Sequence, residues 1–145
     1  MTVIFSKKCE LGLQAVLFLS VQPSGKYFNA ADISKELNVP KEFVSKILQI
    51  LTSFGITGSR KGKMGVFYLA KPTSQIKLID IVEAIDGLDV FNKCVLGFPG
   101  CSVSEPCPVH DKWGKLRAEA YKMLSEETLE QLSAQTLNKL KSLKL

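Results

Sequence analysis

Apolar residues recur along this chain at intervals of three and four, and one stretch switches to a shorter period. Within residues 8–20, Leu11, Ala15, Phe18 and Leu19 share one side of a helix. Pro23-Ser24-Gly25 turns the chain. Asn29 then stands where an N-cap belongs for a helix reaching Leu37, and Asp32 favours that helix start electrostatically. Ile33 and Leu37 form its buried stripe. Asn38-Val39-Pro40 interrupts, and Pro40 suits a cap or first-turn position that needs no N–H. The next helix, 41–54, is expected to bury Phe43, Val44, Ile47, Leu48, Leu51 and Phe54, with Gly55 as its stop. Two short helices joined by so brief a turn are a helix-turn-helix, whose second helix enters the major groove.

The period then changes. Residues 56–60 and 66–70 read as paired strands, with Lys61-Gly62-Lys63-Met64-Gly65 between them. A basic hairpin tip set between glycines is what a wing reaching a phosphate backbone or minor groove requires. Helical spacing returns over 75–86, where Leu78, Ile81, Val82 and Ile85 face inward and Gly87 ends the run. Residues 87–110 are irregular and rich in Gly and Pro. A long helix from about 112 carries Trp113, Leu116, Ala120 and Leu124 at the spacing of a helix that pairs with a partner. Thr128-Leu129-Glu130-Gln131 has the form of a capping box for a last helix containing Leu132, Leu137 and Leu140. The expected fold is mainly α with a small β-hairpin wing: a winged helix-turn-helix followed by a long C-terminal dimerisation helix. Residues 1–77 form the DNA-binding region and 78–145 the cysteine loop and dimerisation helices, within one integrated domain.

Charge sharpens this division. Residues 1–77 carry 11 Lys/Arg against 4 Asp/Glu, whereas 78–145 carry 8 against 10. A phosphate-binding half joined to a half with another task has this footprint. No apolar run approaches the roughly 18 residues of a membrane span, and the N-terminal residues lack the pattern of a signal peptide. A cytoplasmic protein with reduced thiols is therefore expected, with no membrane partner. Lys41, Ser45, Lys46 and Gln49 are the candidate groove-facing residues, and Arg60, Lys61 and Lys63 the candidate wing contacts. Gln49 suits adenine, Ser45 is permissive, and the lysines suit phosphates or guanine.

The distinctive chemistry lies in Cys94-x6-Cys101-x5-Cys107-x2-His110. Buried free cysteine is common in cores, but a Gly/Pro-rich segment offers little core to fill. Soft ligands on such a segment are suited to holding a metal or cluster. Three Cys and one His also make a complete structural zinc set, although no C-x2-C knuckle is present and the gaps are long for zinc. Cys9 reads as a packing residue. Glu10 reads as a solvated first-turn acid or a ligand, and His110 as a cap, a surface residue or a ligand. No nucleophile–base pair or phosphate loop appears, so an enzyme is not expected.

On these residues the chain resembles the winged-helix regulators of the IscR and NsrR type, repressors that bind iron–sulfur clusters. The resemblance runs through Ser6-Lys7-Lys8-Cys9-Glu10-Leu11, Ala31-Asp32-Ile33-Ser34-Lys35-Glu36-Leu37 and Leu51-Thr52-Ser53-Phe54-Gly55-Ile56. It continues through Tyr68-Leu69-Ala70-Lys71-Pro72, Ile81-Val82-Glu83-Ala84-Ile85-Asp86-Gly87, the cysteine trio and Trp113. It implies a homodimer paired through the long helix on an inverted-repeat, double-stranded DNA operator. It also implies a 2Fe–2S or 4Fe–4S cluster on Cys94, Cys101 and Cys107, with His110, or Glu10 from the partner subunit, as fourth ligand. The wing departs from the usual Arg-Gly-x-x-Gly-Gly-Tyr by reading Lys61-Gly62-Lys63-Met64-Gly65-Val66-Phe67, and Arg60 is the adjacent substitute. The expected function is a transcriptional repressor whose operator affinity follows a cluster sensing nitric oxide, redox state or iron–sulfur status. The competing readings are a zinc-containing or thiol-redox winged-helix regulator without a cluster, and a metal-binding interaction module with no DNA role.

Overall fold

The computed structural model describes residues 4–23, 26–60, 65–99 and 102–143. Among them run α1 (Lys7–Ser20), β1 (Phe28–Asn29), α2 (Ala30–Leu37), α3 (Lys41–Ser53), β2 (Thr57–Arg60), β3 (Val66–Leu69), α4 (Leu78–Ile85), α5 (His110–Glu126) and α6 (Ser133–Ser142). The fold is mainly helical, with a small antiparallel sheet in the order β1-β3-β2.

Local chemistry accounts for the helix ends. The Ser6 hydroxyl caps α1 by accepting the Cys9 N–H at 3.1 Å. Asn29 and Asp32 cap α2 reciprocally: Asp32 N–H donates to Asn29 Oδ1 at 2.8 Å, and Asn29 N–H donates to Asp32 Oδ2 at 3.3 Å. Asn38 then takes a left-handed conformation (φ 56°), tolerable for Asn, and Pro40 occupies the N-cap of α3. Asn38, Val39 and Pro40 form the turn of the helix-turn-helix. Gly55 (φ 78°) ends α3 in a conformation that costs other residues more. The wing is antiparallel, pairing Thr57 with Leu69 and Arg60 with Val66.

The core centres on α1, whose Val16 packs with Ile33, Ile47, Leu48, Leu51 and Ile81. Leu129, fully buried in the same cluster, binds the C-terminal part of the chain to this core. Its N–H donates to Ile76 O at 2.9 Å, beside a bridge between Lys77 and Thr128.

Several expectations are corrected. Phe54 is 57% exposed because it falls at the C-cap of α3, where the helix leaves the core. Phe43 packs on the core only partly buried. The helix expected from residue 75 begins at Leu78, preceded by a 3-10 turn over Thr73–Gln75. The long helix starts earlier, at His110. Thr128 and Gln131 do exchange hydrogen bonds as a box, yet the last helix opens only at Ser133. Burial of Leu129 and the bridge at Thr128 hold those residues in a turn. The two-residue strand β1 was not expected. It has no periodicity of its own and exists through pairing with β3.

Candidate DNA-binding face and cysteine site

The outer side of α3 carries Lys41, Lys46 and Gln49 exposed, with Ser45 half-buried between them. Gln49 Nε2 donates to Ser45 Oγ at 3.3 Å, one helical turn back, which holds the amide along the helix. A buried polar link fixes α3 against the wing. Thr57 Oγ1 donates to Leu48 O at 3.2 Å and shares a 2.8 Å hydrogen bond with Thr52 Oγ1. The end of α3 and the start of β2 are thereby tied together.

On the wing, the Arg60 guanidinium lies 4.7 Å from the Tyr27 ring centroid, a cation–π contact that holds its charge at the outer face. Tyr27 in turn meets Tyr68 edge-to-face at 5.4 Å. Tyr68 lies flat because Gly58 faces it; a Cβ there would approach the ring to 2.6 Å. Lys61 and Lys63, the other wing candidates, lie outside the described residues. Sequence reasoning passed over Tyr27 and Thr57. A buried threonine opening a strand and a tyrosine before an N-cap give no one-dimensional signal.

The cysteine segment folds back on itself and against α5. Cys94 Sγ approaches Cys107 Sγ to 3.1 Å across thirteen residues of sequence. This exceeds the roughly 2.05 Å of a disulfide and is somewhat less than the about 3.8 Å that two thiolates span on one tetrahedral metal with 2.3 Å bonds. A small cavity is lined by Cys94, Cys107 and His110 together with Lys93, Trp113 and Arg117. The His110 N–H donates to Cys107 O at 3.1 Å as α5 begins. Cys101 lies outside the described residues, and among the described ones no three His, Cys, Asp or Glu converge as a metal group. The paired thiols and the histidine on one cavity are donors suited to an iron–sulfur cluster or zinc.

Glu10 does not line that cavity. It sits on α1 beside Cys9, and its Oε2 is buried with no hydrogen-bond partner among the described residues. The simple reading as a solvated acid is therefore corrected. Cys9 is fully buried, as expected of a packing residue. Burial above all, helped by the nearby Asp86 and Glu10 carboxylates and a hydrogen bond to Asp86, pushes its thiol up to about 12. Asp86 also accepts from the Ser6 N–H at 2.8 Å and from the Ser6 hydroxyl, joining the start of α1 to the end of α4.

A helix-turn-helix followed by a hairpin wing defines the class of the fold, a winged helix. The family model described as Rrf2, iron-dependent transcriptional regulator, matches residues 5–135. The chain belongs to the Rrf2 family and is an HTH-type transcriptional regulator, which sets aside the interaction module without a DNA role. An HTH-type transcriptional regulator of Aquifex aeolicus is 29% identical over 132 residues, 90% of this chain and 91% of its own. A Mycobacterium tuberculosis protein of the same description is 29% identical over 125 residues, covering 86% and 77%. Two solved structures share the fold. CymR, the global cysteine regulator of B. subtilis, superposes with TM-score 0.74 at 19% identity over 92% of this chain and 98% of its own. T. potens IscR gives 0.68 at 20% identity over 100% and 92%.

Proposed function

We propose that this regulator is a homodimeric repressor that binds an inverted-repeat DNA operator in the cytoplasm, its affinity set by an iron–sulfur cluster held at the cysteine segment. The observation that carries this reading is the 3.1 Å approach of Cys94 and Cys107, two soft donors, on a cavity that His110 also lines at the start of α5. Cys94, Cys101 and Cys107 supply the thiolates. His110 is the fourth ligand from the same subunit, and Glu10 the alternative donated by the partner subunit. The cluster, when bound, supplies a centre that reacts with nitric oxide and oxygen and reports iron–sulfur status. The chain's own part is mechanical. Cys94 and Cys107 close the loop into one arrangement, α5 carries that arrangement into the pairing of two subunits, and the pairing sets the spacing of two α3 helices.

Pairing through α5 is supported by its exposed apolar side chains. Leu116 is 57% and Met123 66% exposed in the single chain. Lys41, Ser45, Lys46 and Gln49 enter the major groove, while Arg60, Lys61 and Lys63 reach the backbone or minor groove. Replacing Cys101 with Ala is expected to abolish cluster absorption while far-ultraviolet circular dichroism stays that of the wild type. Unchanged cluster absorption in that variant overturns the assignment.

The 3.1 Å approach of Cys94 and Cys107 also favours a second reading, thiol-redox control. A peroxide takes two electrons and two protons from the two thiols, leaving a disulfide, an alcohol and water. Metal and sulfide analysis separates the readings: iron with sulfide supports the cluster, zinc alone a structural site, and neither the thiol switch.

A further inference from the structure

The stretch leading into Cys94 is gripped by one face of α5. Trp113 Nε1–H donates to Lys93 O at 2.7 Å. One turn further, Arg117 Nη1 donates to Phe91 O at 2.6 Å. One turn further again, the Tyr121 ring meets Phe91 edge-to-face at 5.3 Å. Three side chains four residues apart occupy one line along a helix, and all three hold residues 91–93. The same line reaches the cysteines, since Trp113 and Arg117 line the cavity of Cys94, Cys107 and His110. Arg117 Nε is buried with no hydrogen-bond partner among the described residues. One donor of the guanidinium thus fastens the backbone before Cys94, and another is left over on a residue that lines the cavity of the thiols. Metal-bound thiolates accept such N–H donors.

We propose that Trp113, Arg117 and Tyr121 are positioning residues, a clamp through which the state of Cys94 and Cys107 is carried into α5. The proposal rests on the reading of the cysteine segment as a switch, and it names how the switch reaches the rest of the molecule. The two hydrogen bonds go to main-chain carbonyls, so the clamp follows the path of the backbone and not the identity of residues 91 and 93. Any change that moves Cys94 moves the Lys93 and Phe91 carbonyls, and the two long side chains pull on α5 at consecutive turns. Trp113 is the single tryptophan of the chain, so its emission reports the same contact.

The test uses the full-length protein with Trp113→Phe, Arg117→Gln, the double variant, and Tyr121→Phe. The last keeps the ring contact and is expected to match the wild type. The first readout is amide hydrogen exchange over residues 91–95 in reduced, metal-free protein. Each lost hydrogen bond is expected to speed exchange about fivefold. The second readout is the ratio of affinities of reduced and N-ethylmaleimide-blocked protein for a duplex selected by the wild type from a random pool. A ratio of about tenfold is expected for the wild type, within the usual range of coupling between sites. In the double variant it falls to within about twofold of unity, while the affinity of the reduced form and the gel-filtration volume hold. Unchanged exchange, a ratio kept in the double variant, or a wild-type ratio of one each overturns the clamp. A double variant that does not fold leaves the exchange rates of the two single variants to decide. Because the loop is perturbed by the thiol reagent, absence of a cluster from the wild type refutes the cluster reading without touching this test.

Discussion

Cys9 and the pair Cys94–Cys107 present the same functional group in opposite settings. Cys9 is fully buried between α1 and α4 with carboxylates nearby, and its thiol is pushed up to about 12. Only the thiolate is a nucleophile or metal ligand, so Cys9 is expected to resist N-ethylmaleimide in folded, reduced and metal-free protein at pH 8, while Cys94 and Cys107 react. Mass spectrometry of labelled peptides checks this, and rapid native-state labelling of Cys9 contradicts it. The shift also has a consequence for stability. The folded value lies above the ordinary 9.0, so the folded state holds the proton longer than the unfolded chain. This contribution is full below pH 9 and is lost as pH rises from there toward 12. Cys9→Ala is expected to flatten that alkaline decline in a urea titration series.

Among the elements, α3 and the wing divide the work of binding DNA in the proposed reading. Lys46 projects a point charge from α3, and Gln49 offers the donor and acceptor that match adenine. Lys46→Ala is expected to weaken binding to all sequences alike and to lower the salt slope by about 1. Gln49→Ala is expected to cost about 1–3 kcal/mol and to relax base preference at one position. Operator titrations at several salt concentrations distinguish the two. These elements were legible in the sequence because each helix carries its own apolar period and its own end signals, Asn29 with Asp32 and Gly55 among them. What escaped depends on partners distant along the chain. β1 needs β3, the turn at Thr128 needs Lys77 and the pocket that takes Leu129, and the exposure of Phe54 follows from where α3 leaves the core. The nearness of Cys94 and Cys107 was suggested by their place in one short segment, but not the attachment of that segment to α5. No pattern announces that Trp113 and Arg117 reach back to the carbonyls of Lys93 and Phe91.

The whole molecule leaves apolar surface on α5 and the cysteine segment. Leu116, Met123, Val95 and Phe98 are all exposed in the single chain, more than a monomer in water ordinarily leaves in neighbouring segments. Burying such a face against a second copy is the symmetric solution, and a two-fold dimer reads a two-fold operator. Leu116→Glu is expected to yield monomers by light scattering, with operator affinity falling at least about tenfold as the second half-site contact is lost. A stable dimer in that variant contradicts pairing through this face. Among the described residues no helix is long and apolar enough to cross a membrane.

The decisive measurement is the absorption spectrum of protein purified without oxygen, with iron, acid-labile sulfide and zinc determined on the same sample. Thiolate-to-iron charge-transfer bands in the visible, with iron and sulfide in comparable amounts and bleaching on nitric oxide or air, are expected. A colourless protein that remains free of iron and sulfide after anaerobic reconstitution contradicts the cluster.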